Sequence, residues 1–552
     1  MTETSVLKIQ PTDNLWVALA DLKAGTTLNL NGSSLTLRED VPAKHKFNEA
    51  DLKQEEEVFL YGVLVGKTTK DISAGSRIST DNTHHAAAGF TDPSKDKATW
   101  AQPNVSKWTD ETFLGFHRDN GSVGTANYWL VIPLVFCQNR NLSVLREVML
   151  KELGYSKTET YHSYMRSLSD MCRNGASAEE LLAWEPKHQT NSTESEKLFP
   201  NVDGVKFLLH EGGCGGTRQD SDALCALLAG YITHPNVAGV TVLGLGCQHA
   251  QIQVLEKEIE KRDPNFNKPM YVFEQQNHAS EETLIQEAMK QTLVGLMQAN
   301  LIERKPAPLS KLVFGVECGG SDGFSGISSN PTIGQCADLL VALGGSVMLA
   351  EFPELCGVEQ EIINRCTQPE SAKNFQELLK TYAARAEAVG SGFDMNPSPG
   401  NIRDGLITDA MKSAGAALKG GSSPVNGVLD YTEPCTAKGL NLLCTPGNDV
   451  ESTTALAASG ATVILFSTGL GTPTGNPIVP VLKISSNTIV AEKLSDIIDL
   501  DTGKIISGEV SLEKMGETLL DLCLKVANGH QQTKAMILGQ DDFIPWKRGV
   551  SL

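Results

Sequence analysis

The sequence is poor in long apolar runs and in positive charge. No stretch reaches the ~18 uninterrupted apolar residues that a transmembrane helix needs, and the opening residues, MTETSVLKIQ, lack the basic and apolar regions of a secretory signal. Lysine and arginine number 47 against 66 aspartates and glutamates, a net charge of −19 that repels nucleic acids and anionic membranes. We therefore expect a cytoplasmic protein with no nucleic-acid and no membrane partner. A small anionic substrate needs only a local basic pocket and is not excluded.

Familiar metal and nucleotide motifs are also missing. The 12 cysteines include no C-x-x-C pair, which excludes zinc ribbons and ferredoxin-type runs but not a metal or cluster bound from distant loops. GLGCQH has His249 where a dinucleotide fingerprint has its third glycine. The chain has no P-loop and no G-x-S-x-G elbow. Kinase, dehydrogenase and serine hydrolase functions are therefore disfavoured.

The pattern of the chain changes along its length. Residues 1–85 contain short strand-like runs broken by Lys-Ala-Gly, Pro-Ala-Lys and Ser-Ala-Gly turns, which predicts a small β-rich domain. Residues 86–110 are polar and aperiodic, as in a linker. From residue 111 apolar runs alternate with helical stretches, so we expect a large parallel α/β catalytic region in two parts, 111–385 and 386–552. The polar stretch 157–200 is interpreted as a surface insertion.

Several cysteines lie at or just beyond the end of an apolar run: Cys137, Cys214, Cys247, Cys318 and Cys444. In α/β sheets ligands bind outside the carboxyl ends of the strands. One hypothesis is therefore that these loops converge on a single site. The other, given equal weight, is that cysteine is common at strand ends because it is small.

The loop of residues 316–334, VECGGSDGFSGISSNPTIG, contains five glycines and four serines. Glycines let the backbone approach a ligand closely, and small polar side chains suit a polyhydroxylated ligand. Arg118 is among the nearby basic groups that could hold a carboxylate. His210 follows an apolar run, where it is a candidate general acid or base, although a lone histidine is more often structural.

The chain resembles the altronate and galactarate dehydratase family in stretches that follow the same order over nearly its whole length: GFHRDNGSVGTANY, HEGGCGG, GLGCQ, CGGSDGFSGISSNPTIG, NPSPGN, CTPGND and STGLGTPTGNPIVPVLKISSNT. The front of the chain, with VALADLKAGTTL, VPAKHKF and DISAGSRISTDN, resembles the SAF domain that opens these enzymes. The chain departs from the family pattern at Ala126 and Gln248, where the family has arginine and glutamate. Ser79 and Asp81 stand where the family has a histidine pair.

The resemblance, which is closer to the altronate-acting members, implies a dehydratase that converts D-altronate to 2-dehydro-3-deoxy-D-gluconate and water. It also implies a divalent metal, Fe²⁺ in the first place and Mn²⁺ in the second. An iron–sulfur cluster held by several of the strand-end cysteines, with one open iron, is an alternative that the residues leave open. In such chemistry a base removes the C2 proton, an acid assists loss of the C3 hydroxyl, and the metal neutralises the charge that develops. His210 is then the base or acid, and Asp322 is its complement or an anchor for a substrate hydroxyl. Cys318 is a metal ligand, a thiol acid–base group or merely a small residue.

The resemblance assigns substrate binding to side chains of the matching stretches: Arg118, Asn127, Ser321, Ser325, Asn330, Asn401, Thr445 and Thr468. His45, Asn82 and His84 of the front domain are the expected metal contacts. The expected partner is a small sugar acid, and a homodimer is the expected assembly. Three alternatives stay open: a galactarate dehydratase, a sulfolactate-type sulfo-lyase, and a non-catalytic sugar-acid sensor.

Overall fold

The computed structural model describes residues 5–91, 99–186 and 196–548. Residues 92–98 of the predicted linker and residues 187–195 of the predicted insertion lie outside the described residues. Within the described ranges, no helix combines the length and the apolar character that crossing a bilayer requires.

The N-terminal domain consists of short strands joined by tight turns: β1 (Val6–Leu7), β2 (Leu15–Ala18), β3 (Thr27–Leu30), β4 (Ser33–Thr36), β5 (Lys46–Asn48), β6 (Glu57–Leu60), β7 (Val63–Thr68) and β8 (Thr83–His84). They form small antiparallel sheets of order β1–β2–β5, β3–β4 and β6–β7–β8. Gly25 and Gly75, both with φ of +79°, occupy the predicted Lys-Ala-Gly and Ser-Ala-Gly turns. The expected β-rich domain is confirmed.

The next region begins with a hairpin and then alternates strands with helices: β9 (Thr112–His117), β10 (Val123–Gly124), β11 (Tyr128–Pro133), α1 (Asn139–Glu152), α2 (Glu159–Arg173), α3 (Ala178–Leu182), β12 (Gly204–Phe207), α4 (Arg218–Thr233), β13 (Val237–Gly244), α5 (Ile252–Arg262), β14 (Met270–Glu274) and α6 (Glu281–Ala299). A parallel sheet of order β12–β11–β13–β14 lies at its centre. Neither α2 nor α3 contains a buried residue, so these two helices of the 157–200 insertion lie on the surface, whereas Phe199 near its end is buried in the core.

Helices cover both faces of this four-stranded sheet. Leu130 and Ile132 of β11 pack with α4, whereas Trp129 and Val131 pack with α1 and α6. Trp129 fits because Gly295 of α6 has no side chain: a Cβ at that position would lie 2.0 Å from the indole ring. Burial on both faces explains why the strand sequence YWLVIP is almost continuously apolar.

The rest of the chain is a second α/β unit: β15 (Lys305–Pro308), β16 (Val313–Cys318), α7 (Ser329–Ala342), β17 (Ser346–Leu349), α8 (Glu359–Arg365), α9 (Pro369–Glu387), α10 (Pro399–Arg403), α11 (Asp409–Ala416), β18 (Val425–Leu429), β19 (Gly439–Leu443), α12 (Asp449–Ala458), β20 (Val463–Thr468), β21 (Val481–Ser485), α13 (Thr488–Lys493), β22 (Leu500–Asp501), α14 (Gly503–Ile506), α15 (Leu512–Ala527) and α16 (Lys534–Leu538). Strand β15 pairs with β9 of the preceding region. The other strands form one parallel sheet of order β18–β19–β17–β16–β20–β21–β22.

The seven-stranded sheet crosses the domain boundary that we placed between residues 385 and 386. Its strands β16 and β17 precede that boundary and the others follow it. Along the chain, the first α/β unit ends with α6, and the seven-stranded sheet of the second begins with β16. In space the two units are in contact where α4 packs against α12. A Cβ at Gly230 of α4 would lie 2.4 Å from the carbonyl oxygen of Ala458 in α12.

Candidate active site

The carboxyl ends of β16 and β17 bring acidic and thiol groups together. Strand β16 ends with Glu317 and Cys318, and its neighbour β17 leads into Glu351 and a 3-10 helix, Phe352–Leu355, that carries Glu354. Parallel neighbours end at the same edge of a sheet, where α/β proteins bind ligands. Glu351 has a left-handed backbone with φ of +65°, which non-glycine residues seldom adopt.

Two lysines lie against these groups. Lys419 donates to Glu351 Oε2 at 2.6 Å and to Cys318 Sγ at 2.7 Å. The Cys318 thiol donates to Glu354 Oε2 at 3.0 Å, and Lys412 Nζ lies 2.6 Å from Glu354 Oε1. We call these five residues, together with Glu317, the Cys318 cluster. Its most accessible charged side chain is Lys412, with 11% of its surface exposed against 2% for Glu354.

Burial and neighbouring charges move the pKa values of the cluster apart. Burial, assisted by the charge of Glu354, raises the pKa of Glu351 to about 7. At Glu354 burial acts in the same direction, but the two lysines outweigh it and hold the pKa below its usual value. Burial also raises the pKa of the Cys318 thiol well above its usual value. One carboxyl is therefore ionised and another exchanges a proton near neutral pH, which is the pattern of an acid–base pair.

Asp322, a predicted catalytic residue, is a junction between the N-terminal domain and the catalytic region. Its carboxylate lies 2.9 Å from Nζ of Lys44 and accepts hydrogen bonds from Ser325, Ser486 and Asn487 at 2.7–3.1 Å. The carboxylate is completely buried. This arrangement makes Asp322 an anchor for the loop that carries Lys44, rather than a free acid or base.

The predicted substrate-binding side chains divide into two groups. One group lies at the carboxyl edge of the seven-stranded sheet: Ser321, Ser325, Asn330, Asn401, Thr445 and Thr468. Their polar groups mostly bind other loops; for example, the Asn401 amide donates to the Ser321 carbonyl at 2.7 Å, and Thr445 Oγ1 accepts from the Glu351 N–H at 2.8 Å. These residues build the loops around the Cys318 cluster.

Arg118 and Asn127 form the second group, at the amino edge of the four-stranded sheet. The Arg118 guanidinium donates to the Pro235 carbonyl at 2.7 Å and to Asn127 Oδ1 at 2.9 Å. Asn127 immediately precedes β11, and Pro235 lies just before β13. Ligands bind at the opposite edge of such sheets, so this placement does not support substrate binding by these two residues, which stays a prediction.

His210 lies beyond the carboxyl end of β12, and both of its ring nitrogens are occupied. Nε2 bonds the Pro133 carbonyl at 2.8 Å, and Nδ1 accepts from the Gly212 N–H at 3.1 Å. Burial lowers the pKa of His210 to about 4, so the ring is neutral at neutral pH. In this geometry His210 holds the loop that follows β12, and its role as base or acid stays a prediction.

The buried neutral state of His210 predicts a pH dependence of stability. An unfolded histidine has a pKa near 6.5, so between that value and the folded value of about 4 the unfolded chain binds more protons. We expect wild type to lose up to about 1.4 kcal/mol per pH unit more than His210→Gln as the pH falls through this window. Urea unfolding at several pH values measures the difference. The matched control, His162→Gln on exposed α2, should parallel wild type, and equal slopes for all three proteins would contradict the assignment.

The expected metal contacts of the N-terminal domain are not brought together. His45 Nε2 bonds the Arg403 carbonyl at 3.0 Å, the Asn82 amide donates to the Arg77 carbonyl at 2.8 Å, and His84 is exposed on β8. Among the described residues, the donor groups that lie within 4.8 Å of one another are His85, Cys356 and Asp409 in one place and Cys318, Glu351 and Glu354 in another.

Of these two groups, the one containing His85 fits a divalent metal better. Its nitrogen, sulfur and oxygen donors suit Fe²⁺ or a similar ion, and Asp409 Oδ2 is buried without a hydrogen-bond partner. The Cys318 group already has lysine ammonium groups against its acidic atoms. His85 follows the predicted His84 directly, and Asp409 lies one helical turn before Lys412 of the Cys318 cluster.

The sequence interpretation missed Glu351, Glu354 and Lys419. The signal for the two glutamates was present, because both follow the apolar run SVMLA at the end of a strand. Lys419 carried no signal, since its importance depends on burial beside residues that are 68 and 101 positions away.

Comparison with known families matches the chain in three consecutive segments. Residues 4–86 match the altronate/galactarate dehydratase SAF domain, residues 115–300 the D-galactarate dehydratase/altronate hydrolase second domain, and residues 309–551 the D-galactarate/altronate dehydratase C-terminal domain. The chain belongs to the altronate/galactarate dehydratase family. Membership confirms both the resemblance read from the motifs and the expectation of a hydro-lyase, and it agrees with the observed α/β fold.

Individual relatives extend this similarity over nearly the full length. The altronate dehydratases of Escherichia coli K12 and Bacillus subtilis 168 are 33% and 31% identical over 529 residues, which is 95% of this chain and 95% of each relative. The galactarate dehydratase (L-threo-forming) of Escherichia coli K12 is 29% identical over 96% of this chain and 93% of its own length.

Proposed function

We propose that this member of the family dehydrates D-altronate to 2-dehydro-3-deoxy-D-gluconate. The observation that carries the proposal is the similarity to two altronate dehydratases over 95% of both chains. The Cys318 cluster supports it, because dehydration of a sugar acid needs a base for the C2 proton and an acid for the departing C3 hydroxyl.

Glu354 is the proposed base. Its carboxylate is ionised beside Lys412, whose side chain is 11% exposed and could attract the substrate carboxylate. Hydrogen bonds continue from Glu354 through Cys318 and Lys419 to Glu351, at 3.0, 2.7 and 2.6 Å. Lys419 donates to both Cys318 and Glu351, so these bonds hold Glu354 in place. The carboxyl group that Glu354 becomes on taking the C2 proton gives that proton to the departing C3 hydroxyl, which leaves as water.

His85, Cys356 and Asp409 are the proposed ligands of the divalent metal that the family resemblance implies. A metal ion there would act as a Lewis acid toward the substrate's oxygen atoms. Burial raises the pKa of Asp409 to about 8, so its carboxyl must release a proton when it becomes a ligand.

Replacing His85 by alanine is expected to weaken Mn²⁺ binding by about 10-fold or more, because one of three protein ligands is lost. The decrease of the free-ion electron paramagnetic resonance signal on titration with protein measures this binding without any need for turnover. His84→Ala is the matched comparison, since His84 is the exposed neighbour outside the group. Weaker binding in His84→Ala and normal binding in His85→Ala would favour the ligands expected from sequence.

Anaerobic turnover of D-altronate with and without ferrous iron tests the proposed reaction. The expected result is iron-dependent formation of a 2-keto-3-deoxy acid, faster than from galactarate or sulfolactate. Tight binding of one of these acids without product would indicate a sensor, and sulfite release from sulfolactate would indicate a sulfo-lyase.

A further inference from the structure

Three exposed cysteines lie at one edge of the four-stranded sheet, outside the Cys318 cluster. Cys137 follows β11, Cys214 follows β12 and Cys247 follows β13, and these are adjacent strands in the order β12–β11–β13. All three thiols are free and exposed, although cysteine is ordinarily among the most buried residue types. The other exposed cysteine, Cys172, lies on α2, which contains no buried residue.

Backbone hydrogen bonds tie the three loops to one another. The N–H of Phe136, next to Cys137, donates to the Gly212 carbonyl at 3.1 Å. The N–H groups of His249 and Ala250 donate to the Gly213 carbonyl at 2.9 and 3.1 Å. Each cysteine is one or two residues from one of these bonds, and consecutive Cα atoms are about 3.8 Å apart. The loop with Cys214 therefore passes between the other two cysteines.

Glycines at this edge adopt positive φ angles and allow close contacts between backbone segments. Gly213 and Gly215, on either side of Cys214, have φ of +96° and +75°, and Gly246, just before Cys247, has φ of +116°. A Cβ at Gly213 would lie 2.1 Å from the Leu134 carbonyl oxygen, so only glycine permits this crossing. Turns of this kind point successive N–H groups into a concavity, a feature of many phosphate and iron–sulfur sites.

We propose that Cys137, Cys214 and Cys247 bind an iron–sulfur cluster. Thiolates are the ligands of such clusters, and each thiol releases its proton on binding iron. Within the described part of the chain, these thiols are not among the groups of three or more donors that lie within 4.8 Å of one another. A cluster does not need that close approach, because its thiolates bind different iron atoms. In a four-iron cluster, three thiolates leave one iron open to a hydroxyl or carboxylate ligand.

The C-terminal segment connects this edge to the carboxyl edge of the seven-stranded sheet. The Arg548 N–H donates to Asp220 Oδ1 at 2.9 Å, in the helix that follows the Cys214 loop. The Arg548 guanidinium donates to Asp430 at 3.1 Å, directly after β18. Arg548 therefore connects the edge that carries the three exposed cysteines with the edge that carries the Cys318 cluster. The binding of this iron–sulfur cluster does not rest on the proposed function.

Anaerobic reconstitution of the full-length protein with ferrous iron and sulfide tests the proposal. Wild type and the control Cys172→Ser should each bind about four sulfides per chain, with about four irons in the cluster and about one more at the His85 group, and absorb at ~400 nm. Cys137→Ser, Cys214→Ser and Cys247→Ser should each lose at least half of the sulfide and the absorbance. Equal sulfide content in all five proteins, or iron without sulfide in wild type, would overturn the proposal.

Alkylation of wild type gives a second readout that does not depend on how the variants fold. Mass spectrometry after iodoacetamide treatment should find the three cysteines protected in the reconstituted protein, and Cys172 labelled equally before and after reconstitution. Labelling of all four thiols at unchanged rates would overturn the proposal. If no cluster forms and D-altronate is still dehydrated, the cluster proposal alone fails. If the cluster forms and D-altronate is not dehydrated, the proposed function alone fails.

Discussion

Replacing Lys419 by methionine is expected to lower the free energy of unfolding by about 3–5 kcal/mol, the usual cost of leaving a buried charge without its partner. Lys419 is 1% exposed, and its ammonium group contacts Glu351 Oε2 at 2.6 Å. Methionine has a similar length but no charge. Glu351 therefore either stays charged without a partner or takes up a proton. Urea denaturation followed by circular dichroism measures the change.

A double variant separates loss of charge from loss of packing. Lys419→Met leaves the buried charge of Glu351 unpaired, and adding Glu351→Gln removes that charge. We therefore expect most of the lost stability to return. The exposed pair of Lys53 and Asp71, 3.1 Å apart, provides the control, and Lys53→Met should unfold like wild type. If the double variant is as unstable as Lys419→Met, packing rather than charge explains the effect.

Glu354→Gln is expected to reduce kcat for D-altronate roughly 10²–10⁴-fold, the usual contribution of a positioned general base. Glutamine keeps the size of the side chain and a hydrogen bond to the Cys318 thiol, but it cannot accept the C2 proton. Because Lys412 remains to attract the substrate carboxylate, KM should change much less than kcat. Steady-state kinetics of the iron-loaded enzyme measures both constants.

Glu359→Gln is the matched control for a buried glutamate outside the Cys318 cluster. Glu359 accepts a hydrogen bond from the Gly357 N–H at 2.7 Å, and burial raises its pKa. We expect this variant to lose stability and to keep kcat. A kcat for Glu354→Gln within tenfold of wild type would remove Glu354 from the role of base.

Much of the fold could be predicted from local pattern. The turn glycines, the switch from short strands to alternating apolar and helical runs, and the positions of strand ends all depend on neighbours in sequence. The strand ends at Cys137, Cys214, Cys247 and Cys318 were correctly read in this way.

The pairing of strands could not be predicted in the same way. One of our two hypotheses was that the strand-end cysteines converge on a single site. In the structure Cys137, Cys214 and Cys247 follow strands of the four-stranded sheet, whereas Cys318 ends a strand of the seven-stranded sheet. Strand β16 lies between β17 and β20, and β20 begins about 150 residues further along the chain. Local periodicity carries no information about such partners.

The sequence by itself determined the class of fold, the family through its ordered motifs, and the set of loops at which chemistry is placed. Only the tertiary structure decided which residues of those loops lie together. Glu351 and Glu354 have pKa values on opposite sides of the usual value because burial and two distant lysines act on them differently. The Pro133 carbonyl and the Gly212 N–H occupy the ring nitrogens of His210. Electrostatic effects of this kind depend on distances of a few ångströms between residues far apart in the chain, and those distances exist only after folding.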